Sequence, residues 1–154
     1  MASLPSISAD PLTRLPGRRA FLNALPKAIS AEKQFKSNFA LLIIDVYRFH
    51  RINNIHGFKV GDIILQKLTD LLNSVKRQQD HLFRIGDNRF ALILMDLMNA
   101  GHAELAAQKI QRLLGPAFTA GNDKIKVDCT IGIMLFPQHA VTSDALFAGA
   151  EDLL

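Results

Sequence analysis

Residues 82–95 read LFRIGDNRFALILM, and this stretch decides the fold. Two runs of strand-forming residues, 82–85 and 90–95, flank the turn residues 86–88, which tolerate the backbone angles of a tight reversal. The sequence therefore predicts a β-hairpin. Both faces of its second arm are apolar, with Phe90, Leu92 and Leu94 on one face and Ala91, Ile93 and Met95 on the other. We expect this arm to lie inside a sheet that is covered on both sides.

The tip of the predicted hairpin carries two charged residues, Asp87 and Arg89. A buried hairpin with an exposed charged tip is a common rigid support for a binding or catalytic site. The alternative is a purely structural turn, and the residues of the hairpin by themselves leave both interpretations open.

The composition is typical of one globular domain. The chain has 154 residues, of which 49% are hydrophobic and 21% charged, enough to bury a core and unlike a disordered protein. The formal charge of +4 suits an anionic ligand and does not indicate nucleic acid. The longest apolar run, 39–44, is too short to cross a bilayer, and residues 1–10 lack the features of a signal peptide. We therefore expect a cytoplasmic protein with no membrane segment in this stretch.

Hydrophobic periodicity predicts the other elements. Helices are expected at 18–33, 60–75, 101–114 and 145–154, a buried strand at 39–46, a short helical or irregular segment at 47–54, and one long strand or two short ones at 124–136. The order helix, strand, helix, hairpin, helix, strand, helix predicts a single α/β (α+β) sandwich with a mostly antiparallel central sheet covered by helices.

Four separated stretches resemble, in order and spacing, the GGDEF domain of diguanylate cyclases. They are residues 10–21 (DPLTRLPGRRAF), 45–53 (DVYRFHRIN), Gly57 with Gly61-Asp62, and 84–90 (RIGDNRF), and residues 130–137 resemble the closing strand of that family. The resemblance covers residues 10–154, which leaves 1–9 as a leader, and it ends before the basic segment with which the family usually closes. It implies a palm-like sheet similar to that of nucleotidyl cyclases and polymerases.

In that family, two GTP-loaded domains face each other and form cyclic di-GMP, with Mg²⁺ held by carboxylates of the first strand and the hairpin tip. Asp45 matches the first-strand acid and is a residual ligand position. The signature Gly-Gly-Asp-Glu-Phe is replaced by Gly86-Asp87-Asn88-Arg89-Phe90, so an amide and a cation stand at the two acidic positions. A guanidinium about 4 Å from a divalent ion would repel it by roughly 8 kcal/mol at an effective dielectric near 20. From this degenerate signature we expect no metal, no cofactor and no enzymatic activity.

Two further pairs of residues match the family's ligand positions. Asn53 and Asp62 match the positions that read the guanine edge, although Asn53 could instead hold a turn and Asp62 could cap a helix. Arg77 and Asp80 match the Arg-x-x-Asp motif of product inhibition, in which the arginine pairs with phosphate and the aspartate accepts from the base. The alternative for Arg77 is a solvated residue at a helix end.

The resemblance therefore implies a catalytically inactive GGDEF domain that serves as a regulatory or dimerisation module in bacterial cyclic di-GMP signalling. Its expected ligand is cyclic di-GMP, bound through Arg77 and Asp80. Its expected partners are a second copy and other domains of a longer protein, of which an EAL phosphodiesterase domain is one candidate. Two alternatives stay open: a GTP-sensing domain without turnover, and a protein-interaction scaffold in which both sites are vestigial.

Overall fold

The structure is a computed structural model, and it describes residues 9–154. These residues form five helices and six strands. In chain order they are α1 (Arg18–Phe35), β1 (Phe39–Val46), α2 (Phe49–His56), α3 (Phe58–Val75), β2 (His81–Arg84), β3 (Arg89–Leu94), α4 (Gly101–Leu113), β4 (Phe118–Ala120), β5 (Asp123–Ile125), β6 (Cys129–Phe136) and α5 (Ser143–Asp152). Most of the predicted leader lies outside the described residues.

The central sheet has four strands in the order β2-β3-β1-β6, and every neighbouring pair is antiparallel. The predicted hairpin is β2–β3, and β3 and β1 are the interior strands. Leu42 of β1 lies opposite Leu92 of β3, and near the end of the same ladder Asp45 lies opposite Arg89. The predicted fold class is therefore confirmed.

Each face of the sheet is covered by its own pair of helices. Leu42 and Leu92 belong to a core layer with α3 and α4, whereas Leu41 and Ile93 belong to a second layer with α1 and α5. Both faces of β3 are buried, as the alternation of its residues predicts. No helix in the part of the chain that the structure describes is long and apolar enough to cross a membrane.

The sequence analysis missed one strand and left the extent of another open. β4 and β5 form a separate two-stranded sheet, with Gly121 in the left-handed region (φ 64°) at their turn. β4 escaped prediction because three residues are too few to show a period. The run at 124–136 divides into the short strand β5 and the long strand β6, and its apolar face, which includes Cys129, packs on the core. Burial, followed by the charges of Asp45 and Asp128, raises the pKa of the Cys129 thiol to about 12, so this thiol is unreactive.

Glu32 is a buried acid on α1. The residue is 3% exposed, and its Oε2 atom has no hydrogen-bond partner among residues 9–154. Burial raises the pKa of Glu32 to about 7, and the charge and side-chain hydrogen bond of Asp96 add to this effect. The folded protein therefore holds a proton on Glu32 at a pH at which the unfolded chain has released it.

The pH dependence of stability follows from Glu32. Its folded-state pKa is raised, so its contribution is fully present below pH 4.5 and is lost as pH rises through about 7. Between pH 5 and pH 8 we expect the free energy of unfolding, measured with urea, to fall by roughly 1 to 3 kcal/mol more in the native chain than in Glu32→Gln. The exposed Glu104→Gln is the matched control and should behave as the native chain does. Equal pH slopes for native and Glu32→Gln proteins would contradict this account.

Candidate functional site

The end of β1 and the hairpin tip meet at Asp45. Strand register places Asp45 opposite Arg89, whose Nη2 and Nε donate to Asp45 Oδ2 at 2.7 and 3.3 Å. The other oxygen, Oδ1, accepts from Asn88 Nδ2 at 2.6 Å, and the same amide nitrogen lies 3.0 Å from the carbonyl oxygen of Val46. Both oxygens of Asp45 are therefore engaged by Asn88 and Arg89.

A second acid reaches the hairpin tip from the last helix. Arg89 Nη1 donates to Glu151 Oε2 at 2.8 Å, so the guanidinium bridges Asp45 and Glu151. Helix α5 can approach because β6 has a glycine at position 132, where a Cβ would lie 2.0 Å from the carbonyl oxygen of Ala150. Glu151 was missed by the sequence analysis, since nothing in the sequence alone fixes how α5 crosses the sheet.

The side chains of the tip do not fit a divalent metal. Magnesium requires carboxylate oxygens that are free to coordinate it, and the two oxygens of Asp45 already accept from a guanidinium and an amide. Within residues 9–154, no group of three or more His, Cys, Asp or Glu side chains converges to hold a metal ion. Asp87 is exposed and provides only its backbone carbonyl to the tip, accepting from Arg84 Nη2 at 2.7 Å.

Arg84 connects the turn at Asp10, which precedes α1, to the hairpin tip. Its Nη1 lies 3.0 and 3.1 Å from the two carboxylate oxygens of Asp10, and its Nε donates to the carbonyl of Gly86 at 3.2 Å. Asp10 also accepts from the backbone and the hydroxyl of Thr13 at 2.8 and 2.7 Å. The first stretch therefore has a structural role, because Asp10 holds both Arg84 and the turn at Thr13.

Asn53 and Asp62 lie on successive helices. Asn53 is on α2 and Asp62 on α3, on either side of Gly57, whose φ of 92° allows the chain to turn. The Oδ1 atom of Asn53 is buried without a hydrogen-bond partner in the described part of the chain, and a Cβ on Gly61 would lie 1.9 Å from it. Asp62 is exposed and is the fifth residue of α3, so it does not cap that helix. This oxygen is packed against Gly61 and is not open to solvent.

Arg77 and Asp80 form a closed pair between α3 and β2. Asp80 Oδ2 accepts from the backbone N–H and Nε of Arg77 at 2.8 and 3.0 Å, while Oδ1 accepts from Arg77 Nη2 and the backbone N–H of Met95 at 2.9 and 3.0 Å. Arg77 Nη2 also donates to the carbonyl of Met95. The side chain of Asp80 is fully buried, whereas that of Arg77 is 30% exposed. Arg77 is therefore fixed rather than freely solvated, and Asp80 is the residue that fixes it.

Comparison with known proteins identifies the family. Residues 7–154 match the family model described as "Diguanylate cyclase, GGDEF domain". The chain is 32% identical over 143 residues to the diguanylate cyclase TpbB of Pseudomonas aeruginosa, covering 92% of this chain and 33% of that protein. It is 28% identical over 142 residues to the bifunctional diguanylate cyclase/cyclic di-GMP phosphodiesterase MucR of the same organism, covering 92% and 21%.

A solved structure shows the same architecture. The isolated GGDEF domain of TpbB superimposes with a TM-score of 0.90 at 30% identity, covering 93% of this chain and 84% of that one. The chain spans about a third of the length of TpbB itself. The fold and the resemblance expected from the sequence are thereby confirmed.

The expectation that this domain is not an enzyme is wrong on these comparisons. Relatives that are 28–32% identical over most of the chain are named diguanylate cyclases, which points to an enzyme. The expectation rested mainly on Asn88 and Arg89 at the hairpin tip, whereas the similarity extends over 92% of the chain. Asn88 and Arg89 determine how Asp45 is paired at the tip. They do not decide whether the domain is an enzyme.

The pairing at Asp45 predicts how a metal site could be opened. Asn88→Asp together with Arg89→Glu removes the guanidinium that bridges Asp45 and Glu151 and adds two carboxylates to the tip. We expect Mg²⁺ binding, measured by isothermal titration calorimetry, to tighten at least about tenfold, since a unit charge near 4 Å from a divalent ion interacts with it by roughly 8 kcal/mol at an effective dielectric near 20, and even a small part of this exceeds a tenfold change. The matched control is Arg19→Glu, an exposed charge reversal on α1. Unchanged Mg²⁺ affinity in the double variant would show that Asp45 is not the residue that limits metal binding.

Proposed function

Because the chain belongs to the GGDEF domain family, we propose that it is a nucleotide-binding regulatory domain of a bacterial cyclic di-GMP signalling protein. The observation that carries the proposal is the fixed guanidinium of Arg77. Its Nε and Nη2 are held by Asp80 and Met95, and its Nη1 has no hydrogen-bond partner among residues 9–154. In the proposed complex, Nη1 binds a phosphate oxygen of cyclic di-GMP.

A guanidinium held in this way favours binding for two physical reasons. A ligand that meets Arg77 does not have to order a flexible side chain, so it avoids a cost of about 0.5 to 1.5 kcal/mol. A charged donor also makes a stronger hydrogen bond to phosphate than a neutral one. The role of Asp80 is positioning, because both of its oxygens are already saturated and its side chain is buried.

Polar groups and a cavity lie next to the motif. The cavity, of about 340 Å³, is lined by Asp80 and by Lys76, Gln78 and His81, while Arg77 is not part of its lining. Lys76 Nζ donates to the carbonyl oxygens of Arg77 and Asp80 at 3.2 and 3.3 Å, which places a second positive charge next to the pair. This charge offsets the acid of the motif and favours an anionic ligand.

A second candidate function is GTP binding, and one observation favours it. Asn53 Oδ1 has no hydrogen-bond partner among the described residues, and guanine presents N–H groups from which an amide oxygen accepts once the Asn53 side chain turns away from Gly61. The exposed carboxylate of Asp62 is a second acceptor on the next helix. GTP is the substrate of the diguanylate cyclase reaction for which the matched relatives are named. The same experiment should therefore also measure whether the domain converts GTP.

The remaining parts of the proposal concern the longer protein. This chain covers 33% of TpbB and 21% of MucR, and MucR is named for both a cyclase and a phosphodiesterase activity. We propose that this domain is likewise joined to other domains, with an EAL phosphodiesterase domain as the first candidate. Pairing of two copies and a cytoplasmic location are parts of the same proposal.

The direct test of the proposal is calorimetric titration of the domain with cyclic di-GMP. We expect Arg77→Ala to weaken binding by roughly 1.5 to 3 kcal/mol, a tenfold to hundredfold loss, because a charge-assisted hydrogen bond to phosphate is removed. Arg112→Ala, an exposed arginine in the last turn of α4, is the matched control and should bind as the native domain does.

Two outcomes would exclude the Arg77 site. Undetectable binding of cyclic di-GMP at high micromolar concentration would favour the scaffold interpretation, whereas equal binding by Arg77→Ala would mean that the ligand binds elsewhere on the domain. Parallel titration with GTP, with and without Mg²⁺, tests Asn53 and Asp62, and chromatographic detection of cyclic di-GMP formed from GTP measures turnover directly.

A further inference from the structure

A separate cavity of about 350 Å³ lies between α2 and the segment that joins β5 to β6. Its lining consists of Tyr47, Arg48, Arg51, Ile52, Ile55, His56, Ile125, Lys126 and Asp128. Neither Asn53 nor Asp62 lines it, and the same holds for Arg77 and Arg89. The cavity is therefore distinct from both nucleotide sites proposed above and from the ion pairs of the hairpin tip.

The charges around this cavity leave an excess of positive charge. Two acids are close, and each already has a polar partner: Asp128 lies 3.4 Å from Lys126, and Asp123 lies 3.5 Å from the His56 imidazole. The side chains of Arg48 and Arg51 form no ion pair with any residue in 9–154. Two guanidinium groups without acidic partners thus face one concave surface, which favours an anion that binds in a bidentate manner, such as phosphate.

The walls of the cavity are aromatic and apolar. Tyr47 is 49% exposed, and the guanidinium of Arg48 lies 5.0 Å from the centre of its ring. Ile55 is 62% exposed beside it. A half-exposed aromatic ring next to an exposed aliphatic side chain offers a surface on which a planar base can stack. Exposing these side chains to water has a cost that a bound planar group would remove.

We propose that this cavity binds a nucleoside monophosphate, with its phosphate on Arg48 and Arg51 and its base against Tyr47 and Ile55. The volume favours a mononucleotide over a dinucleotide, since small-molecule sites span about 300 to 1,000 Å³ and this one is near the lower limit. The backbone links the site to the hairpin tip: Tyr47 N–H donates to the carbonyl of Asp128 at 2.8 Å, and Val46 N–H donates to the carbonyl of Asn88 at 2.9 Å.

The chain contains a built-in reporter for this cavity. Tyr47 is its only tyrosine, and it has no tryptophan. With ¹³C-labelled tyrosine, one set of ring signals reports on the cavity, and absorbance by a nucleotide does not interfere. We expect GMP to shift the Tyr47 signals in a saturable manner, with half-saturation below about 1 mM. Guanosine and inorganic phosphate, tested separately, should each bind at least about tenfold more weakly, because each provides only one of the two interactions.

Substitutions of the two cavity arginines test whether the shift of the Tyr47 signals comes from GMP bound in this cavity. Arg51→Gln is expected to weaken GMP binding about tenfold or more, and Arg48→Gln should do the same. Arg51 is exposed on α2 and glutamine is a good helix former, so the Arg51→Gln variant keeps the fold even if Arg48→Gln does not. Lys59→Gln, an exposed cation in the first turn of α3, is the matched control and should leave binding unchanged.

Asp62→Asn distinguishes this site from the proposed guanine-reading site, since it removes a contact of that site without touching the cavity. Binding that survives Asp62→Asn and is lost in Arg51→Gln supports the proposal. No saturable shift with GMP, equal affinity for inorganic phosphate and GMP, or unchanged binding by Arg51→Gln would overturn it.

Discussion

The antiparallel pairing of β1 with β3 is the constraint on which the rest of this domain depends. One register sets Leu42 opposite Leu92 in the core and Asp45 opposite Arg89 at the tip. Since side chains alternate across a strand, a slip of one residue would send each core residue to the other face. It would also separate Asp45 from Arg89. The pairing of β1 with β3 therefore determines which residues form each core layer and which charged residues meet at the hairpin tip.

Arg89 acts as an internal cation at this tip. It joins β3 to β1 through Asp45 and to α5 through Glu151, while Asn88 occupies the remaining oxygen of Asp45. The three charged side chains are 21% to 37% exposed, so each contact is screened by water and a single pair contributes little. A bridging arginine with two carboxylate partners is worth more than isolated pairs, because one ordered side chain satisfies both acids. The framework is that of a family named for cyclase activity, and in this chain the charge of Arg89 is neutralised by two acids at the tip.

The sequence predicted the framework well, because strong periodic signals correspond to strong packing constraints. The hairpin at 82–95, the two apolar faces of its second arm and the position of Asp45 at the end of a buried strand all follow from local patterns. The strand β4 could not be predicted, because three residues are too few to show a hydrophobic period. Glu151 did not follow either, since its contact with Arg89 depends on the close approach of α5 at Gly132. The roles within the Arg77–Asp80 pair depend on Met95, which is distant in sequence and supplies both a donor and an acceptor.

The most direct test of the internal cation is the coupling free energy between Asp45 and Arg89, measured by urea denaturation of the native chain, Asp45→Asn, Arg89→Gln and the double variant. The two residues are in contact, so their substitutions should not be additive. We predict a favourable coupling of about 1 kcal/mol, the value for a charged hydrogen bond after allowance for partial exposure, and a smaller coupling at high salt. A coupling below about 0.3 kcal/mol at low salt would mean that Arg89 does not neutralise Asp45 and would contradict this account of the tip.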